Sequence, residues 1–237
     1  MSIQEHVQAV RARVAAAAIA AGRDPGEITL CAATKVQSDQ TIRAAVAAGI
    51  EVCGENRVQE LTAHLEADAY AGAQVHFIGH LQTNKVNKVV GRVALIHSVD
   101  SPRLLQAIEN QAAKLGLCQD ILLEINIGGE ESKGGIPVSQ ACELAALARS
   151  LEHVRLRGLM AIPPISTVPG GNRHFFAEMK QLFVDIRKEM SDNQSDFNCL
   201  SMGMSGDFED AIVEGSTLVR VGTALFGPRP PMGAGQK

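Results

Sequence analysis

"ITLCAATKVQSDQTIRAA", residues 28–45, runs from seven residues suited to a buried strand, through a single lysine, Lys35, into a polar helix entry at Gln37, Ser38 and Asp39. A near-continuous apolar run reads as a strand covered on both faces, and the helix behind it implies parallel pairing. The turn "ATKVQSD" has no glycine-rich phosphate loop, which argues against an open doubly wound nucleotide-binding sheet. A strand-then-helix unit with a cation at the strand's C-terminal end is the pattern to look for in the rest of the chain.

The unit recurs. Strand candidates are 28–34, 50–54, 75–79, 94–99, 120–126, 154–160, 198–202 and 217–221, with helical patterns at 39–48, 56–66, 101–115, 137–150, 173–190 and 206–214. Eight such strands in 237 residues predict an α/β fold, a single-domain (β/α)8 barrel, which typically uses about 250 residues. An additional N-terminal helix is expected over 2–21, where Ser2 and Glu5 have capping-box spacing and Ile3, Val7, Val10, Val14, Ala17 and Ala21 share a face. The barrel is expected to span residues 1–227, and the Pro/Gly-rich segment 228–237 to be a flexible tail. The charged stretch "RKEMSDNQSD" reads as a solvated helix end.

Composition narrows the function. Apolar residues make up 46% and charged residues 20%, an ordinary globular balance. A net charge of −4, one Tyr and no Trp argue against nucleic-acid binding. No apolar stretch approaches the roughly 20 residues that span a bilayer, and the N-terminus has no secretory pattern. Five scattered cysteines without a CxxC fit a reducing compartment, so a cytoplasmic location is expected. No metal is expected.

In a parallel barrel the C-terminal strand ends share one face, and the chemistry sits there. Those ends carry Lys35, Glu55, Asn56, His80, Ser98, Asn126 and Met160, then "SMGMSGD" and "RVGTA". In the first of these last two turns Ser205 is expected to cap a helix starting at Gly206, with hydroxyl and backbone N–H groups suited to a phosphate. Gly222-Thr223 makes a second such turn, and phosphate sites in barrels commonly use the loops after strands seven and eight. Arg220, inside the apolar "LVRVG", needs an anion, a strong acceptor or the ring nitrogen of a cofactor. His97 reads as a satisfied core histidine. Lysine, phosphate cup and arginine together describe a Schiff-base site for pyridoxal phosphate.

The segments "ATK", "CGENRVQE", "HFIGHLQTNK", "IHSVDS", "EINIGGEESKGG", "RGLMAIPP", "LSMGMSGDFEDAI" and "GSTLVRVGTALFG" occur in that order. On these the chain resembles the pyridoxal phosphate homeostasis proteins, also called YggS or PROSC proteins, over roughly residues 5–228. The resemblance implies an alanine-racemase-type barrel with pyridoxal 5'-phosphate covalent on Lys35. It implies that Ser205, Gly222 and Thr223 hold phosphate, that Arg220 meets the pyridine nitrogen, and that Asn56 lines the ring. Ser201 and His80 are further cofactor-binding candidates by the same resemblance. Family members often carry a second lysine and a proline where this chain has Gln37 and Ser38; Lys133 matches a family lysine. The implied function is cofactor holding and delivery without catalytic residues, by a monomer with apo-enzymes as transient acceptors. Two enzyme readings stand beside it: a pyridoxal-dependent amino-acid racemase, and a lysine Schiff-base aldolase with Glu55 as acid–base partner. A racemase needs a facing tyrosine from a further domain. The one tyrosine, Tyr70, is expected near the N-terminal, wrong end of the barrel.

Overall fold

The computed structural model describes residues 2–130, 133–189 and 196–228 of the chain. Eight strands, β1 (Thr29–Ala33), β2 (Val52–Glu55), β3 (Gln74–Phe77), β4 (Leu95–Val99), β5 (Gln119–Ile125), β6 (Val154–Ala161), β7 (Cys199–Ser201) and β8 (Leu218–Val221), have ends within two residues of the predicted runs. Each pairs in parallel with the next, and β1 pairs with β8 as well as β2, which closes the barrel. At Cys31 the register meets Val52 on one side and Arg220 on the other.

Alternation along each strand then decides what faces the lumen. Cys31, Ala33, Val52, Ile78 and Leu218 form one small cluster inside the barrel, and Leu95, Leu122 and Met160 a second. Ala32, Cys53, Phe77 and Ile96 belong instead to the large core between barrel and helices. The lumen also holds polar side chains, among them His76, His97, Ser201 and Arg220, all at most 5% exposed.

The helices are α1 (Ile3–Ala20), α2 (Asp39–Ala47), α3 (Val58–Glu66), α4 (Pro102–Leu115), α5 (Ala141–Arg149), α6 (Arg173–Glu189), α7 (Phe208–Val213) and α8 (Thr223–Phe226), with a 3-10 helix at Thr83–Lys88 between β3 and β4. Local chemistry sets their ends. Ser101 caps α4 by accepting from the Leu104 N–H, Pro102 supplies a preset φ, and Gly116 closes the helix at φ +65°. The capping box of α1 is present: Ser2 Oγ accepts from Glu5 N–H at 3.2 Å, and Glu5 Oε2 accepts from Ser2 N–H at 2.7 Å.

The expected N-terminal helix is present as α1, packed against α2, α7 and α8. One expectation needs correction. Ser205 does not cap the helix that follows it. That helix starts at Phe208, and Asp207 organises its entry, with Oδ1 accepting from Met204 N–H at 2.7 Å. No helix among the described residues is long and apolar enough to cross a membrane. The expected tail beyond 228, and part of the expected solvated helix end at 190–195, lie outside the described residues.

Candidate functional site

Extending the inward alternation of Cys31 and Ala33 by two residues points Lys35 into the barrel mouth. A cavity of ≈ 240 Å³ opens there, at the C-terminal ends of β1, β2 and β8, lined by Lys35, Asn56, Ser205, Arg220, Gly222 and Thr223, with Ala33, Ile78 and Ile162 as apolar walls. Six of the eight residues singled out from the sequence therefore meet in one space. Ser201 is fully buried one layer beneath it, and His80 stands on the rim. The His80 side chain is 64% exposed, 3.4 Å from Asp100, and does not line the cavity.

The turn carrying Lys35 is unusual. Val36 has φ +65°, a left-handed conformation that a β-branched residue adopts only when its surroundings impose it. Those surroundings include Glu60 on α3, whose Oε2 accepts from the Val36 N–H at 3.0 Å. The Gln37 N–H also returns to Thr34 O at 3.0 Å. Glu60 was not identified from the sequence: it falls at an ordinary exposed-face position of a helix, and only the fold brings it to the turn.

Asn56 ends β2 pointing inward, and its Oδ1 is buried with no hydrogen-bond partner. The β3 end passes so close that a Cβ on Gly79 would lie 2.1 Å from Asn56 O, which makes glycine obligatory there.

Glu55, one residue earlier, faces the opposite way. It is fully buried between barrel and α3, accepting from Thr34 Oγ1 at 2.5 Å and Tyr70 OH at 2.9 Å on the same Oε1. Burial pushes its carboxyl up, more than those hydrogen bonds and the nearby His64 pull it down. Burial and Glu55 together push the Tyr70 hydroxyl up as well. Glu55 is therefore not an acid–base partner for Lys35. Tyr70 lies in the helix-facing layer, behind β2 rather than at the N-terminal mouth.

On the other wall, Ser205 Oγ accepts from Gly222 N–H at 3.1 Å and Ala224 N–H at 3.2 Å, joining the two turns after β7 and β8 into one cup. Gly203 makes this approach possible at φ +93°, where a Cβ would fall 2.6 Å from that of Ala211. Beneath the cup, Arg220 donates through Nη1 to Ser201 O at 2.9 Å and to Ser201 Oγ, and through Nη2 to Ala161 O at 2.9 Å. These bonds fix the guanidinium plane at the cavity floor. Lys133 is engaged elsewhere, donating to Pro163 O at 3.0 Å and so tying the loop after β5 to the loop after β6. No group of three metal-ligating side chains exists among the described residues.

Comparison with known proteins shows the family. The family described as "Alanine racemase, N-terminal domain" matches residues 6–230. A pyridoxal phosphate homeostasis protein of Aquifex aeolicus is 41% identical over 229 residues, 97% of this chain and 99% of its own. One from Escherichia coli is 37% identical over 230 residues, 96% of this chain and 97% of its own. PipY of Synechococcus elongatus, solved with PLP bound, is 31% identical and superposes with a TM-score of 0.82 over 95% of this chain and 100% of its own. The chain belongs to the alanine racemase N-terminal domain family and, within it, to the pyridoxal phosphate homeostasis proteins.

Proposed function

We propose that this protein binds pyridoxal 5'-phosphate in the β1–β2–β8 cavity, holds it covalently on Lys35, and keeps and hands on the cofactor without substantial turnover of amino acids. The observation that carries the reading is the meeting, in one cavity, of an inward-pointing lysine, a cup made from two turns, and a buried arginine. The names of the relatives at 37–41% identity and the PLP-bound PipY support it.

The residues present fit the group. Bound there, the cofactor supplies an aldehyde to which a primary amine adds, and Lys35 is the amine in reach. The Ser205 and Thr223 hydroxyls offer donors to a phosphate dianion, and the Gly222 and Ala224 amides, which donate to Ser205 Oγ, hold that serine in place. Arg220, a permanent donor, holds the pyridine nitrogen unprotonated. Asn56 Oδ1, a buried acceptor without a partner, marks the ring's other side as unfinished until something polar arrives.

No observation favours a racemase: the single tyrosine of the chain is bonded to Glu55 behind β2. The aldolase reading loses its acid–base residue for the same reason. A cytoplasmic monomer that passes the cofactor to apo-enzymes is the role that follows.

The test is the visible spectrum of the purified protein before and after borohydride reduction, followed by peptide mapping. A yellow protein with the label on the Lys35 peptide, and a colourless Lys35→Ala variant, are expected. Label mainly on Lys85 or Lys133 would overturn the assignment.

A further inference from the structure

Arg220 is 4% exposed, and its hydrogen bonds among the described residues go to neutral oxygens rather than to a carboxylate. A guanidinium keeps its proton and has no acceptor, so in each of these bonds it must donate. That one constraint propagates. Ser201 Oγ accepts from Arg220 Nη1, and the hydroxyl's own hydrogen has one acceptor in reach among the described residues, His97 Nδ1 at 3.0 Å.

His97 is wholly inside the barrel, where burial, then His76 and Arg220, hold it well below the usual imidazole range, so the ring is neutral. With Nδ1 accepting, its hydrogen sits on Nε2, which points at His76 Nδ1 at 3.0 Å. His76 is 5% exposed and pushed down to about 4 by burial, so it is neutral too. Its Nδ1 accepts, and its hydrogen therefore sits on Nε2. His76 also lines a second cavity at the opposite, N-terminal end of the strands, together with Gln74, Asp120 and Arg157.

We propose that Ser201, His97 and His76 are positioning residues for Arg220, forming a one-way hydrogen-bond chain across the barrel lumen from β8 through β7 and β4 to β3. Every acceptor lone pair in the chain faces the guanidinium, and every hydrogen points away from it. Oriented dipoles in a dry interior stabilise a charge without neutralising it, which a carboxylate would do. Arg220 thus keeps its full charge and a fixed plane at the cavity floor. Ser201 belongs to this support. The chain itself is independent of any ligand; only the last link, from Arg220 to a ring nitrogen, rests on the function proposed above.

Long-range 1H–15N correlation spectra of the ligand-free protein at neutral pH test the chain directly. His97 and His76 should both appear as neutral Nε2–H tautomers. An Nδ1–H tautomer or an imidazolium at His97 would overturn the proposal. The positioning role is read by a double-mutant cycle on pyridoxal phosphate affinity. Ser201→Ala should weaken binding about fivefold or more, within the coupling expected of touching residues, and Ser201→Thr, which keeps the hydroxyl, should largely restore it. In an Arg220→Met background, Ser201→Ala should have no further effect. Additive losses, or unchanged affinity in Ser201→Ala, would show that the serine does not act through Arg220. If the wild-type protein failed to bind pyridoxal phosphate, the proposed function would fall, while the two tautomers would still decide the chain.

Discussion

A hydroxyl that accepts from two amides at once does more than cap one helix. Ser205 Oγ joins the turn after β7 to the Gly222–Ala224 turn after β8, and a bare cap would be worth about 1 kcal/mol of stability. Hydrogen bonds to a charged group are worth about 1.5–3 kcal/mol. Ser205→Ala should therefore weaken pyridoxal phosphate binding about tenfold and leave binding of unphosphorylated pyridoxal nearly unchanged. Parallel titrations with both ligands check this, and an unchanged ratio of affinities would reduce Ser205 to a link between the two turns. His76 gives a second expectation, in pH. Its folded value of about 4 lies below the ordinary 6.5, so between those values the unfolded chain binds a proton that the fold refuses. Stability should then fall as pH drops from 6.5 towards 4, by about 1.4 kcal/mol per unit for this one group. Glu55 and Glu124 have the opposite sign. Burial raises both carboxyls, so their contribution is present below the ordinary carboxylate range and is lost as pH rises through their folded values. Urea unfolding of His76→Gln beside the wild type isolates the imidazole, because the amide oxygen can still accept from His97 without titrating. The variant should show the shallower acid dependence.

At the scale of elements, α1 is the instructive case. Its helical face was legible from period and capping alone, and Val7, Val10, Val14 and Ala17 are buried as that face requires. As expected it precedes the first strand, and it packs against α2, α7 and α8. Its core contacts should therefore matter to the whole fold. Val7→Ala, at a fully buried position, should cost about 2 kcal/mol in urea unfolding. Ile19→Ala on the same helix, 66% exposed, should stay within about 0.5 kcal/mol. Equal effects would mean that α1 is loosely attached. The elements that escaped the sequence share a physical reason. Thr83–Lys88 is a polar 3-10 segment with only Val86 buried, and α8 is a single turn, so neither is long enough to display a helical period. The eight strands were readable because burial on both faces leaves a signal that needs no period.

For the whole molecule, the lysine and the two turns of the site were legible because barrel topology sends every strand's C-terminal end to one face. The fine direction of side chains was not. Glu55 and Asn56 are neighbours, yet one faces α3 and the other the cavity, and a one-residue change in strand phase would exchange them. The chain through Ser201 and His97 joins residues 104 positions apart, a distance at which sequence spacing carries no information. These directions bear on what the molecule does with a bound cofactor. Carbanion chemistry at an amino acid's α-carbon needs a protonated ring nitrogen as electron sink, and removal from one face with return to the other needs a second base. Arg220, placed at the ring nitrogen as proposed above, would disfavour the first, and the only tyrosine is turned away behind β2. Incubation of the loaded protein with L- or D-alanine should therefore displace the Lys35 link slowly and leave the enantiomer unchanged. The same loaded protein, mixed with a pyridoxal-dependent apo-enzyme, should restore that enzyme's activity. Hydrogen exchange at the alanine α-carbon, followed by NMR in deuterated water, is the deciding measurement. A turnover of about 1 per second or faster, the low end of ordinary enzymes, would mean that a base other than tyrosine reaches the cavity and that the protein is a racemase after all.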